Sequence, residues 1–195
     1  WEACSDATYG AYSKDFANDV VEAVCDDLDN NCDGVTDDEC DKDQDGYCDK
    51  LKQFVGNPAI CKYGGGDCND GNGAVSPGAQ EDCNDVDDDC DLKLDAADPD
   101  LDKVRPNCEN QKGVCLGSKK PVELCKSGAW EVCNEAVYGN FDKGFKPGAN
   151  ETLCDDLDNN CDGGTDIECD SDKDGYCDAS LAIIGKPAIC PKGGN

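Results

Sequence analysis

Histidine and methionine are absent from this sequence, and it contains neither a C-x-x-C pair nor a long apolar run. Without imidazole or closely paired thiolates, zinc fingers, thioredoxin-type redox centres and c-type haem lack their ligands. No stretch approaches the ~18 apolar residues of a membrane span. Basic residues are scarce: 17 Lys and Arg stand against 45 Asp and Glu, a net charge of −28. That balance argues against nucleic acid as a partner, because phosphate requires cationic side chains. Aromatic residues are 6% of the chain, and such low hydrophobicity beside lopsided charge would ordinarily predict disorder.

What is abundant is cysteine. Eighteen cysteines among 195 residues is the density of a disulfide scaffold, in which cross-links replace a large core. It implies an oxidising, extracellular setting. The chain opens on Trp1, as a processed or excerpted chain does.

Sliding the sequence against itself by 129 positions aligns residues 1–66 with 130–195 without a gap, and 37 of the 66 pairs are identical. A weaker half-repeat relates "PGAQEDCNDVDDDCDLKLD" at Pro77–Asp95 to "PGANETLCDDLDNNCDGGTD" at Pro147–Asp166. The organisation expected is one full repeat over 1–129, with metal loops at 25–49, 67–72 and 83–95 and a cysteine-rich hairpin linker at 104–129. Residues 130–195 form the first half of a second repeat. Neighbouring cysteines pair by proximity as 25–32, 40–48, 61–68, 83–90, 108–115, 125–133, 154–161 and 169–177, leaving Cys4 and Cys190.

The acidic residues fall in a ligand pattern. A hard cation such as calcium takes six to eight oxygens, and a D-x-D-x-D-G loop turns alternate side chains inward while the glycine permits a sharp bend. "DKDQDGYCD" supplies Asp41, Asp43, Asp45, the Tyr47 carbonyl and Asp49; its copy supplies Asp170, Asp172, Asp174, Tyr176 and Asp178. The preceding loop offers Asp29, Asn31, Asp33, the Val35 carbonyl and Asp37, matched by Asp158, Asn160, Asp162, Gly164 and Asp166. "DDDCDLKLD" offers Asp87, Asp89, Asp91 and Asp95, with Leu92 in the glycine position. "DCNDGN" adds Asp67, Asn69, Asp70 and Asn72, placed to complete the Asp41 site. "DPDLD" at Asp98–Asp102 lacks the glycine and reads as a solvated turn. Position twelve of the Asp41 and Asp170 loops is Lys52 or Leu181 rather than glutamate, so EF-hand helix pairs are not expected.

These residues resemble a family. "PGANETLCDDLDNNCDGGTD", "DSDKDGYCD" and "GGGDCNDGNGAVSPGAQEDCND" are similar to the MopE-type metal-binding repeats of secreted bacterial proteins. The D-x-D-x-D-G-x-x-D loops also resemble thrombospondin type 3 calcium repeats, and "GVCLGSKKPVELCKSGAWEVC" resembles the linker between MopE-type repeats. The resemblance implies extracellular location, calcium ligation and multidomain arrays. Copper, associated with the family's name-giving member, is not carried over, because that chemistry uses histidine.

The fold expected is small, disulfide-rich and irregular with minor β content, an elongated tandem repeat held by local disulfides and several Ca2+ ions per repeat. Two short segments, "LKQFVGNPAIC" and "LAIIGKPAIC", are apolar enough to pack as strands, and "PVELC" with "AWEVC" reads as a hairpin. The expected role is structural: an extracellular filament, stalk or matrix component whose partners are copies of itself. A calcium-dependent adhesion or glycan-binding module is the alternative. With no nucleophile motif and no pocket-forming core, catalysis is not expected.

Overall fold

Cystine takes the place of the usual aliphatic interior. The computed structural model describes residues 22–194, and among these, thirteen of the seventeen buried apolar side chains are cysteines. The chain divides into two compact units, one ending at Asp100 and one beginning at Leu101. The linker 104–129 therefore folds with the residues that follow it.

Strands are two to four residues long: β1 (Val24–Cys25), β2 (Tyr47–Asp49), β3 (Gln53–Phe54), β4 (Gly64–Asp67), β5 (Cys125–Lys126), β6 (Ala129–Trp130), β7 (Leu153–Cys154), β8 (Tyr176–Cys177), β9 (Ala182–Ile183) and β10 (Gly193–Gly194). In the first unit β1 pairs with β3 and β2 with β4, both parallel. Cystines 25–40 and 48–61 pack against each other and Ile60 as one buried cluster. The second unit builds the same device from β7–β9 and β8–β10, with cystines 154–169 and 177–190 packed on Leu181 and Ile189. Ladders this short cannot hold a fold alone. Each cross-link closes a loop of 13 or 15 residues, and removing that entropy from the open chain is worth ~3 kcal/mol per bridge.

The second unit contains a further cluster. The antiparallel hairpin β5–β6 leads into helix α1 (Glu135–Phe141), whose first turn is capped by the Asn134 side chain accepting the Val137 amide at 3.1 Å. Tyr138 packs on Phe145, with ring centroids 5.6 Å apart, and on cystines 108–133 and 115–161. The buried Lys120 ammonium donates to the Glu109 carboxylate and to the Glu131 carbonyl, and this holds the Glu109 carboxyl down to about 2.

The small, disulfide-rich fold with minor β content is found as expected, but none of the proximity pairs is. Cys25 bonds Cys40, Cys48 bonds Cys61, Cys68 bonds Cys90, Cys108 bonds Cys133, Cys115 bonds Cys161, Cys154 bonds Cys169 and Cys177 bonds Cys190. Cys83 and Cys125 are also oxidised, but not to the neighbours proximity assigned them. Cys190, expected to be left over, is paired; Cys32 is the free cysteine among the described residues, and Cys4 lies outside them. Cys32, Cys90 and Cys161 share a left-handed φ of 61–63°, and Cys90 and Cys161 bond to cysteines of other segments, Cys68 and Cys115. The apolar segments do form β3 and β9, yet Phe54, Val55, Ile183 and Ile184 remain substantially exposed.

A non-reducing peptide map tests this connectivity. Proteolysis should release the linked pairs 25–40 and 154–169, with Cys32 alone alkylated in the first loop. Recovery of a 25–32 or 154–161 peptide would overturn the arrangement.

Candidate metal centres

Five loops share one backbone trace. They begin at Asp29, Asp41, Asp87, Asp158 and Asp170. In each, the fourth residue (Cys32, Gln44, Cys90, Cys161, Lys173) and the sixth (Gly34, Gly46, Leu92, Gly163, Gly175) have positive φ. The two left-handed residues curl the chain around its own side chains. The first aspartate accepts the amide of the sixth residue at 2.9–3.0 Å. The third side chain (Asn31, Asp43, Asp89, Asn160, Asp172) accepts the fifth amide at 2.9–3.3 Å. The fifth residue (Asp33, Asp45, Asp91, Asp162, Asp174) accepts the seventh amide at 2.7–2.9 Å. Alternate oxygens are thus pinned toward the inside of the curl, where a hard cation takes its ligands. The seventh residues, Val35, Tyr47, Gly164 and Tyr176, are fixed by the same amide bonds.

The loops differ in what surrounds them. Around the Asp41 loop the parallel β2–β4 pair sets Asp49 beside Asp67, and the chain then folds back so that the Lys42 amide donates to Asp70 at 3.0 Å. Gly73 lies so near that a Cβ there would come within 3.4 Å of the Asp45 Cβ. Asp41, Asp43 and Asp45 each place an oxygen within 4.8 Å of the others. Asp43, Asp45, Asp67 and Asp70 each leave one buried carboxylate oxygen with no hydrogen-bond donor. The Lys42 ammonium stops 4.0 Å from Asp70. Four unpaired buried carboxylate oxygens are unfavourable without a counter-charge. Burial first, and then the charges of Asp43, Asp45 and Asp70, push the Asp67 carboxyl up; burial likewise raises Asp41 and Asp70. Asn69 and Asn72 belong to the same fold-back: the Asn69 amide donates to Asp67, and the Asn72 side chain accepts the Ala74 amide.

The Asp170 loop repeats the curl, but its ligands line an open cup of about 360 Å3. Among the described residues no segment stands over it as Asp67–Asn72 stands over the Asp41 loop. Asp178 accepts the Ser180 amide at 2.8 Å, as Asp49 accepts that of Leu51 at 2.9 Å.

In the Asp29 and Asp158 loops the ninth residue has another task. Asp37 accepts the amides of Asp26 and Asp27 at 2.9 and 2.8 Å, and Asp166 those of Asp155 and Asp156 at 3.2 and 2.7 Å. Both are buried and close the loop base. Asp95 does the same for Asn84 and Asp85. Glutamates that sequence reading did not single out complete the frame. Fully buried Glu22 accepts the Asn30 and Asn31 amides, Glu151 those of Asn159 and Asn160, and Glu81 those of Asp88 and Asp95. The signal was present in the recurring PGA-x-E of Glu81 and Glu151. Burial lifts Glu151 to about 6, while its amide bonds pull the other way. The Asp158 loop is also covered from outside. The Val114 amide donates to the Asp158 carbonyl at 3.1 Å, Lys112 donates to the Asp162 carbonyl at 2.7 Å, and a Cβ on Gly113 would collide with Asp158.

With this geometry in view, the comparisons are specific. A family model described as "Cu-binding_MopE: Putative metal-binding motif" matches residues 12–38, 67–96 and 141–166. Three segments of this disulfide-rich chain thus match the MopE-type motif, each containing one of the Asp29, Asp87 and Asp158 loops. The Asp41 and Asp170 loops lie outside the matched segments. No curated protein and no solved structure matches the chain. The donor set is oxygen: no histidine exists, and every described cysteine but Cys32 is oxidised. That chemistry suits a hard cation rather than copper.

Two outcomes follow from the loops. Leu92 holds φ of 74° where the other four loops have glycine, and a left-handed leucine costs ~1 kcal/mol. Leu92→Gly should therefore raise stability by up to ~1 kcal/mol in denaturant titration; a loss would show that the leucine is packed rather than strained. Acidity should act on the metal-free chain through eight carboxyls raised by burial: Glu22, Asp41, Asp67, Asp70, Glu81, Asp89, Glu151 and Asp166. A raised carboxyl binds its proton more tightly folded than unfolded, so its stability is present at low pH and lost as pH rises. For Glu151 that window runs from 4.5 to about 6. In chelator the thermal midpoint should climb as pH falls from 7 to 5, and a falling midpoint would contradict carboxylate crowding.

Proposed function

We propose that the chain is a secreted, calcium-loaded structural repeat protein belonging to an extracellular filament, stalk or matrix. The observation that carries the reading is the set of unpaired buried oxygens on Asp43, Asp45, Asp67 and Asp70. Their spacing and chemistry suit an oxygen-coordinated ion larger than magnesium, which keeps more of its own water. A divalent ion in each of the five loops would cut the net charge from −28 to roughly −18. Because the sites form only on folding, ion binding adds to folding stability, by ~2.7 kcal/mol per site at a hundredfold excess over Kd.

Self-association is supported by recurrence. Phe54 and Val55 are exposed, and so are Ile183 and Ile184, their counterparts 129 residues later. Equivalent apolar positions offer each repeat the same contact, as head-to-tail assembly requires. The many disulfides suit an extracellular setting, and no helix among the described residues is long and apolar enough to cross a membrane. In this reading the carboxylates are ligands and not acid–base catalysts.

One observation favours a glycan-binding module as a second reading. A shallow cleft of about 470 Å3 adjoins the Asp41 loop, lined by Asp45, Tyr47 and the exposed Tyr63, so an aromatic face sits beside a metal loop.

The test is chelation. Replacing millimolar calcium with EDTA should lower the thermal midpoint by 10 °C or more and shorten or dissolve assemblies seen in electron micrographs. Unchanged midpoint and assembly would refute calcium as the structural element. A glycan array probed with and without calcium separates the second reading: calcium-dependent hits lost in Tyr63→Ala would favour it over the filament.

A further inference from the structure

Asp98 was expected in a solvated turn. It is instead 3% exposed, and one of its two carboxylate oxygens is buried without a donor. Counting from Asp87 as the first loop position, Asp89 is third, Asp91 fifth, Asp95 ninth and Asp98 twelfth. In a cation loop of this curl, position twelve is where the chain returns to supply a carboxylate from the opposite side. The other four loops hold Cys40, Lys52, Cys169 and Leu181 there, none of which can do so.

The return is built by a single 3-10 turn, Asp95–Ala97. The Asp95 amide is anchored on Glu81 at 2.7 Å, and the Asp98 amide donates back to the Asp95 carbonyl at 2.9 Å. Pro99 follows and Asp98 Oδ1 accepts the Asp100 amide at 2.5 Å, which leaves Oδ2 as the unpaired atom. Burial first, and then the charge of Asp98, raises the Asp89 carboxyl beside the Lys93–Asp91 pair. Asp87 contributes a second buried oxygen without a donor. A cation of the chain's own stands at this cluster: Lys93, in the seventh position, lays its ammonium on Asp91 and feels Asp98 and Asp89 as well. Both members of that pair are half-exposed, so the ammonium is screened and free to leave. Nothing in the motif match reaches Asp98, since the matched segment ends at residue 96.

We propose that Asp87, Asp89, Asp91 and Asp98 form a self-contained site for a hard divalent cation of calcium's size, and that the Lys93 ammonium is the group the ion displaces. This rests on the calcium reading of the loops and adds to the Asp87 loop a twelfth-position ligand and a built-in competitor. The loop with a leucine for its glycine is then the one that needs no ligand from elsewhere.

The experiment counts ions on the intact, oxidised chain. Calcium bound at equilibrium is measured by native mass spectrometry and calorimetric titration for wild type, Asp98→Asn, Asp43→Asn and Lys93→Gln. Asparagine keeps an oxygen for the Asp100 amide, so a purely structural role would leave binding unchanged. The expected result is that Asp98→Asn loses one calcium, or weakens one site at least tenfold, and that the double variant with Asp43→Asn shows both losses independently. Lys93→Gln should tighten the Asp98-dependent site by about three- to tenfold. Should Asp98→Asn fail to fold, Lys93→Gln still decides, because it removes no ligand: unchanged affinity at every site overturns the proposal. Wild type that binds no divalent ion would defeat the calcium reading itself. Wild type that binds calcium, with Asp98→Asn retaining every ion at full affinity, would defeat only the Asp98 site.

Discussion

Confined negative charge is the constraint on which the rest of this structure depends. Carboxylates held within a few ångströms in partly desolvated loops repel, and repulsion alone would open the chain. Two kinds of bond oppose that opening. Cystines hold the loop bases together whether or not an ion is present, which is why they occupy the core positions that leucine and phenylalanine hold elsewhere. Backbone amides do the local work: each loop directs its own N–H groups at its own carboxylates, and buried Glu22, Glu81 and Glu151 accept amides of the Asp29, Asp87 and Asp158 loops. The amides leave some carboxylate oxygens unpaired, and those are the atoms that call for a counter-charge.

The same curl is dressed differently in each place. The second cysteine of each C-x6-C pair occupies position four, between two candidate ligand residues. A bridge there fastens the loop to another segment. Cys161 uses this to hold the Gly113–Val114 turn over Asp158, while Cys32, in the equivalent loop, is free and exposed among the described residues. Asp41 receives Asp67 and Asp70 from a fold-back; Asp170 presents its carboxylates to an open cup. Ligand number, and hence affinity, should vary along one repeating sequence by what is laid across each loop.

The loops were legible in sequence because their information is local: alternate oxygens, a left-handed bend and a fixed length of nine residues. Even so, the assignment of Asp37 and Asp166 as ligands meets a structure in which both carboxylates accept amides at the loop base. Cystine connectivity was not legible, since proximity along the chain says nothing of which segments meet, and Cys90 and Cys161 bond to Cys68 and Cys115 of other segments. Asp98 was missed for the same reason. Its partner residues lie seven to eleven positions back, and only the 3-10 turn at Asp95–Ala97 shows that the chain returns.

Cys68 ties two candidate sites together. It lies between Asp67 and Asp70, beside the Asp41 loop, and its sulfur is bonded to Cys90, between Asp89 and Asp91 of the next loop. The Asp67–Asp70 segment is therefore covalently attached to the curl of the neighbouring loop. An ion that draws Asp67 and Asp70 toward Asp43 also restrains the backbone on which Asp89 and Asp91 sit, and the ordering entropy of the second loop is partly met before its ion binds. Ion binding in such a chain would act as the nearest-neighbour interaction of a one-dimensional array, with stiffness passing from loop to loop through sulfur.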